Sequence, residues 1–268
     1  MAEFCPGYVQ DPFKNLAANY PDESAYPAKD FRTEWGPIFH RGRLDGSARV
    51  LLIGQDPGQH ENVLRRILVG EAGRRVQGFL SKLGITRSYV NLNALLYSVY
   101  GSNGAKYVDD TAVADYRGQW ITGILAPGKI EAVVTFGAMA KHAWQIYLAA
   151  HPNASTLTVA NLTHPTQPES AGGTAAQKKE NTKKLLQQWN AALPGLHSAV
   201  LHKDNPAPLT LYGEAFVDAD KVDIPSFDLP AGIPTWMYDN DGWARRVGET
   251  AAEKRANITI TVPKGIIK

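Results

Sequence analysis

Residues 49–54 read RVLLIG, a run with no polar alternation and too short for a helix, stopped at once by GQDPG. An apolar run of that length bounded by turn residues predicts a strand buried on both faces, which is the signature of a parallel sheet. A sheet of that kind has to be covered by helices above and below, so this one segment excludes most all-helical and one-sided antiparallel folds. The pattern returns three times, in YVNLN (Tyr89 to Asn93), IEAVVTF (Ile130 to Phe136) and TLTVANL (Thr156 to Leu162), each followed by turn or helix signals.

Helical periods lie between these runs. Val76, Phe79, Leu80 and Leu83 fall at i, i+3, i+4 and i+7 and form one apolar stripe that ends at Gly84. TAAQ (Thr174 to Gln177) is a capping box, and the helix it opens places Leu185, Leu186, Trp189 and Leu193 inward. Strand–helix alternation predicts an α/β fold of three layers, α/β/α, around a central, mostly parallel four-stranded sheet. Residues 48–195 form that core. Residues 1–47 lack periodicity and are expected to wrap it, and residues 196–268, interrupted by Pro206, Pro208, Pro225, Pro230 and Pro234, are expected to form an irregular C-terminal extension packed on it. NITITV (Asn257 to Val262) alternates as an edge strand does.

With 268 residues, 44% of them hydrophobic, the chain can bury a substantial core. A net charge of +2 neither requires nor forbids a polyanionic partner. Cys5 is the only cysteine, which excludes intramolecular disulfides, thiolate zinc sites and cysteine-held clusters within one chain. No metal or cofactor is expected. The first residues carry no secretion signal and no apolar run is long enough to cross a bilayer, so a monomer in the cytoplasm, associated with the nucleoid if bacterial, and free of membrane is expected.

In such sheets ligands bind beyond the carboxyl ends of the strands. The first buried strand ends in Gly54, Gln55, Asp56, Pro57 and Gly58, a stiff turn that aims Asp56 into the crevice, though Asp is also a common turn or capping residue. The fourth ends in Asn161, Leu162, Thr163, His164, Pro165, Thr166 and Gln167, placing His164 at the same sheet edge; any one of the seven histidines is by itself more often structural. Asn91 and Asn93 share one face of a strand, as a structural amide network or as the reader of a base edge. Gly137 and Ala138 open a helix whose first amides suit a phosphate.

Together these stations resemble the uracil-DNA glycosylase superfamily over roughly residues 48–193. GQDPG resembles the GQDPYH of its best-known branch, and HPTQ resembles HPSP. The resemblance implies a catalytic pair, Asp56 for the water and the cationic sugar and His164 for the departing base. It implies a base pocket of Gln55, Pro57, Gly58, Leu68 and Asn93, with Asn91 the rival of Asn93. DNA contacts fall to Gly137, Ala138, Thr166, Gln167, Pro168 and Glu169. Two positions depart from the pattern: Gly58 replaces the tyrosine that excludes thymine's methyl group, and Leu68, in LVGEAG, replaces the stacking aromatic.

The activity implied is excision of uracil from single- or double-stranded DNA after base flipping, leaving an abasic site. A glycosylase for mismatched thymine or deaminated purines and a lesion-binding module without catalysis are the rival expectations. A hydrolase of nucleosides or esters fits the fold class but lacks a nucleophile motif. Glu61 is the next carboxylate should Asp56 not hold the water.

Overall fold

The computed structural model describes residues 8–266 apart from 102, 240 and 241; Cys5 lies outside the described residues. Five strands make the central sheet: β1 (Arg41–Gly42), β2 (Val50–Gly54), β3 (Tyr89–Asn93), β4 (Ala132–Phe136) and β5 (Thr158–Leu162). Their order is β1-β3-β2-β4-β5, with β3, β2, β4 and β5 parallel and β1 antiparallel to β3. The four expected strands are β2 to β5. The fifth corrects the expected count, and it lies in the segment read as a wrapping arm.

β1 escapes a periodicity search because it is two residues long and one of them is arginine. Its register is set by backbone proximity: a Cβ on Gly42, which has φ +101°, would collide with the Tyr89 carbonyl, and Arg43 donates its N–H to that same oxygen at 2.8 Å. Only glycine fits so close an approach at positive φ.

The helices are α1 (Phe13–Ala18), α2 (Gln59–Leu64), α3 (Glu71–Lys82), α4 (Thr111–Leu125), α5 (Ala138–Ala150), α6 (Gln167–Ser170), α7 (Ala175–Ala199) and α8 (Ala251–Ala256). Alternate residues of the strands feed two cores. Leu51, Ile53, Val90, Leu92 and Val133 pack toward α4 and α5 with Trp120 and Trp144. Val50, Leu52, Val134 and Phe136 pack toward α3 and α7 with Phe79 and Trp189. Those last three rings meet at centroid distances of 5.3 to 6.0 Å, in edge or tilted contact, worth about 0.5–1.5 kcal/mol per pair beyond area burial. The capping box at Thr174 forms as expected, and α7 continues past Gly195 to Ala199.

The C-terminal extension shares the core's interior. Leu229 and Trp243 close a small apolar cluster over Leu64 and Val69, and Thr259–Ile260 (β7) pairs with Ala244–Arg245 (β6) in a separate antiparallel ribbon, so the alternation in NITITV serves that ribbon and not the main sheet. Fully buried Asp228 accepts from Arg41 Nη1 at 2.9 Å and also from Arg43 and Tyr89. Among the described residues no helix is long and apolar enough to cross a membrane.

Removing one partner of a buried charge pair strands the other, at a cost of about 3–5 kcal/mol. Asp228→Ala is therefore expected to lower the unfolding free energy by about that amount in urea titration; a loss under ~1 kcal/mol would show that Arg41 and Arg43 are satisfied elsewhere.

Candidate active site

β2 sits at the middle of the sheet, and the chain leaves its end toward β3 on one side while β4 leads to β5 on the other. That reversal opens a crevice at the strands' carboxyl ends. The GQDP turn is moored there by the segment that follows β3. Ala94 N–H donates to Gly54 O at 2.9 Å and Leu95 N–H to Gln55 O at 3.0 Å, extending the ladder past the strand. Ser98 Oγ donates to Pro57 O at 2.5 Å, and Val99 N–H reaches the Asp56 carboxylate, Oδ2, at 3.2 Å. Residues 98–100 are in turn braced by the N-terminal segment, through a bridge between Phe31 and Val99 and through Arg32 N–H to Ser98 O at 3.0 Å.

Asp56 lines a cleft of about 400 Å³ with Gln55, Pro57, Gly58, Leu68, His164 and Thr166. Burial pushes its carboxyl up to about 6 and Glu61 adds to the rise; the Val99 amide and the Arg246 guanidinium oppose it. His164 moves the other way. Burial, reinforced by the nearby Arg75 guanidinium, lowers it to about 4, against the pull of Glu169. At pH 7 the Asp56 carboxyl, despite its rise, is still mostly ionised, whereas the lowered His164 ring is neutral.

The tautomer of His164 follows from its neighbours. Thr166 N–H donates to Nδ1 at 3.4 Å, with the Thr166 hydroxyl 3.2 Å from the same nitrogen. A backbone N–H can only donate, so Nδ1 accepts and the proton of the neutral ring sits on Nε2. The loop itself is held by Arg75 of α3, whose Nη1 donates to Pro165 O at 2.7 Å and whose Nη2 meets Glu169 Oε1 at 2.8 Å. Arg75 also pairs with Glu71 one turn earlier, at 2.7 Å, and stacks over the Phe216 ring at 4.4 Å. Arg75 was not singled out in the sequence, where the only trace was its i, i+4 spacing from Glu71.

The other expected residues are distributed. Gly137, Ala138 and Gln167 line an adjoining cleft of about 440 Å³ with Lys141, and Gln55 and His164 border both clefts. Gly137, at φ +97°, leaves no room for a Cβ against the Gln55 side chain, and its own N–H donates to Leu162 O at 2.8 Å. The amides left for an anion at this turn are therefore those of Ala138 and the residues after it. Pro168 is buried and Glu169, though exposed, is engaged by Arg75; neither lines either cleft, whereas exposed Gln167 lines the adjoining one.

Asn91 is fully buried and donates to Arg41 O at 3.5 Å. Asn93 is also buried, with its carboxamide oxygen lying over the Cα of Gly54, and it borders a small interior cavity beneath Tyr26 and Trp120 rather than the Asp56 cleft. Leu68 reaches the cleft with φ +54°, a conformation costing on the order of 1–2 kcal/mol for a residue with a side chain. Its carbonyl lies where a Cβ on Gly73 would stand, which explains the second glycine of LVGEAG. Glu61 lines the cleft as well, and its carboxylate accepts from Gly58 N–H at 3.0 Å and Val69 N–H at 3.3 Å, clamping the turn it belongs to. Among the described residues no cluster of three His, Cys, Asp or Glu side chains is placed to hold a metal ion.

A sheet with this switch point, carrying a carboxylate and a neutral imidazole in one cleft, is an arrangement able to stabilise a developing cation and a departing anion. The model of the uracil DNA glycosylase superfamily matches residues 41–217, and the chain belongs to that superfamily. It is a DNA N-glycosylase of base excision repair, acting on DNA. No curated protein matches the chain significantly.

The two perturbed groups set the expected pH profile of single-turnover excision. With Asp56 acting as an ionised base, the rate is expected to fall as pH drops through about 6, while His164 stays neutral until about 4 and adds no second step above that. Because Asp56 is raised in the fold, its ionisation costs stability above that pH, and the cost vanishes once both folded and unfolded forms are protonated, below about 4. Asp56→Asn is expected to abolish excision while raising stability by roughly 1–2 kcal/mol at pH 8 and not at pH 4, as read by denaturant melts at the two pH values.

Proposed function

We propose that this chain extrudes uracil from DNA and hydrolyses its glycosidic bond, leaving an abasic site. The observation that carries the proposal is the placement of Asp56 and His164 in one cleft with opposite electrostatic tuning. Breaking the C1′–N1 bond leaves positive charge on the sugar and negative charge on the base. Ionised Asp56 stabilises the first and holds the water whose oxygen bonds to C1′. His164 stabilises the second by donating a hydrogen bond from Nε2 to a base oxygen, and the water's proton leaves to the base or to solvent.

The cleft is reached only by a nucleotide taken out of the stack, since its floor lies at the ends of buried strands. Gln167 is exposed on the adjoining loop, lines the neighbouring cleft and is suited to fill the space the base vacates. No lysine lines the cleft among the described residues, which supports hydrolysis by water without an amine adduct to the sugar. The protein is expected to act as a monomer.

One observation favours a wider base range. Gly58 lines the cleft, and no Phe, Tyr or Trp does so among the described residues, so no such ring there blocks a C5 methyl group or a second ring. Excision of uracil, thymine, hypoxanthine and xanthine from otherwise identical single-stranded and duplex DNA tests both readings. Uracil is expected to be released fastest, with His164→Ala slowing release by roughly 10²–10³-fold, the loss of one preorganised donor. If purified protein binds these duplexes and releases no base, the catalytic assignment fails and a lesion-binding role replaces it.

A further inference from the structure

Among the described residues one Lys or Arg lines the cleft, and it comes from outside the segment matched to the family. Arg246, in the C-terminal extension, lines the same cleft as Asp56 and His164. Three contacts seat it. Gln59 of α2 donates to Ala244 O at 3.2 Å, Trp243 meets His60 edge-on at 4.9 Å, and β6, which ends at Arg245, is paired with β7.

Behind Arg246 lies Arg32 of the N-terminal segment, only 2% exposed, with its guanidinium over the Tyr100 ring at 4.7 Å. Its nearest carboxylate is that of Glu34, at 3.9 Å. Nε and Nη2 of Arg32 and Nε of Arg246 are buried without a hydrogen-bond partner. The two guanidinium groups are close enough to repel each other, and burial and that repulsion lower Arg246 against the pull of Asp56 and Glu61. Two adjacent cations with orphaned donors are a costly arrangement that an anion with several acceptor oxygens relieves.

We propose that Arg246, backed by Arg32, binds a DNA backbone phosphate next to the extruded nucleotide, so that the C-terminal extension helps hold the sugar over Asp56. The position suits a phosphate and not the departing base, because Arg246 stands on the Asp56 side of the cleft, beside Gly58 and Glu61, where the sugar and its flanking phosphates lie in the proposed function on which this assignment rests. It leaves the turn at Ala138 free for a second phosphate on the far side of His164. The bound phosphate would also offset the positive charge of Arg246 beside Asp56 and of Arg32 next to it.

The test pairs a protein change with a DNA change in the full chain. Binding to a duplex carrying a tetrahydrofuran abasic analogue is measured for wild type, Arg246→Gln and Arg246→Lys. Each phosphate flanking the analogue is replaced in turn by an uncharged methylphosphonate. The account expects Arg246→Gln to weaken binding about tenfold, to reduce the salt slope by about one, and to abolish the sensitivity to one particular methylphosphonate that wild type shows. Arg246→Lys, which keeps the charge and loses the fork, is expected to recover part of the affinity.

If wild type and Arg246→Gln lose the same factor at every methylphosphonate, the phosphate assignment is overturned. It is equally overturned if Arg246→Gln leaves binding unchanged and only moves the pH profile of excision, which would make the arginine a tuner of Asp56. The binding readouts do not need catalysis. A wild type that shows the coupling yet releases no base contradicts the proposed function and leaves the clamp standing, whereas one that excises uracil without the coupling contradicts the clamp alone.

Discussion

The Val99 amide that reaches the Asp56 carboxylate is the last of four hydrogen bonds by which residues 94–99 hold the turn after β2. The order matters because β2 lies at the centre of the sheet, where every residue from Val50 to Gly54 is buried and no slack exists in the strand. The first two bonds continue the parallel ladder with β3, and the last two belong to the loop, so the carboxylate inherits the rigidity of the sheet. The brace extends outward through Phe31 and Arg32 to the N-terminal segment. A carboxylate fixed in this way can be surrounded by protein and remain an acceptor, which is why burial raises it to about 6 without neutralising it at physiological pH.

His164 is tuned by different means at the far edge of the same crevice. Its strand is the exposed edge β5, and its precision comes from Arg75, which reaches from α3 to Pro165 and Glu169. The same guanidinium supplies part of the field that keeps the ring neutral. One residue thus holds the loop of the imidazole and adds to the burial that keeps the ring neutral. Pairing a raised acid with a lowered base in a single cleft is how a fold keeps both active forms populated at one pH.

Much of this was legible in the sequence and the rest was not, for physical reasons. The four parallel strands and helices α3 and α7 are marked by period and caps, and Asp56 and His164 lie where strand ends put them. β1 was missed because a backbone approach at Gly42 defines it, not a side-chain pattern. Glu169 was read as facing DNA, because a sequence does not show that a helix one layer away will present Arg75 to it. Asn93 was placed in the base pocket on the strength of a motif, and the pleat turns it over Gly54 toward the neighbouring cavity. Arg246 and Asp228 lie far along the chain from what they touch, and no local signal announces such contacts. The resemblance was traced over residues 48–193, and the family match runs further at both ends, to 41 and 217, taking in β1.

The central claim is that Asp56 and His164 act from opposite sides of one extruded nucleotide. It is tested most directly by a structure of the full chain bound to duplex DNA carrying a 2′-fluorinated uridine that resists hydrolysis. The account predicts the uracil ring inside the Asp56 cleft, one of its carbonyl oxygens within hydrogen-bond distance of His164 Nε2, about 2.7–3.2 Å, and the Asp56 carboxylate facing the sugar at C1′. A uridine still stacked in the duplex, or extruded with His164 on a phosphate and no carboxylate near C1′, would contradict it.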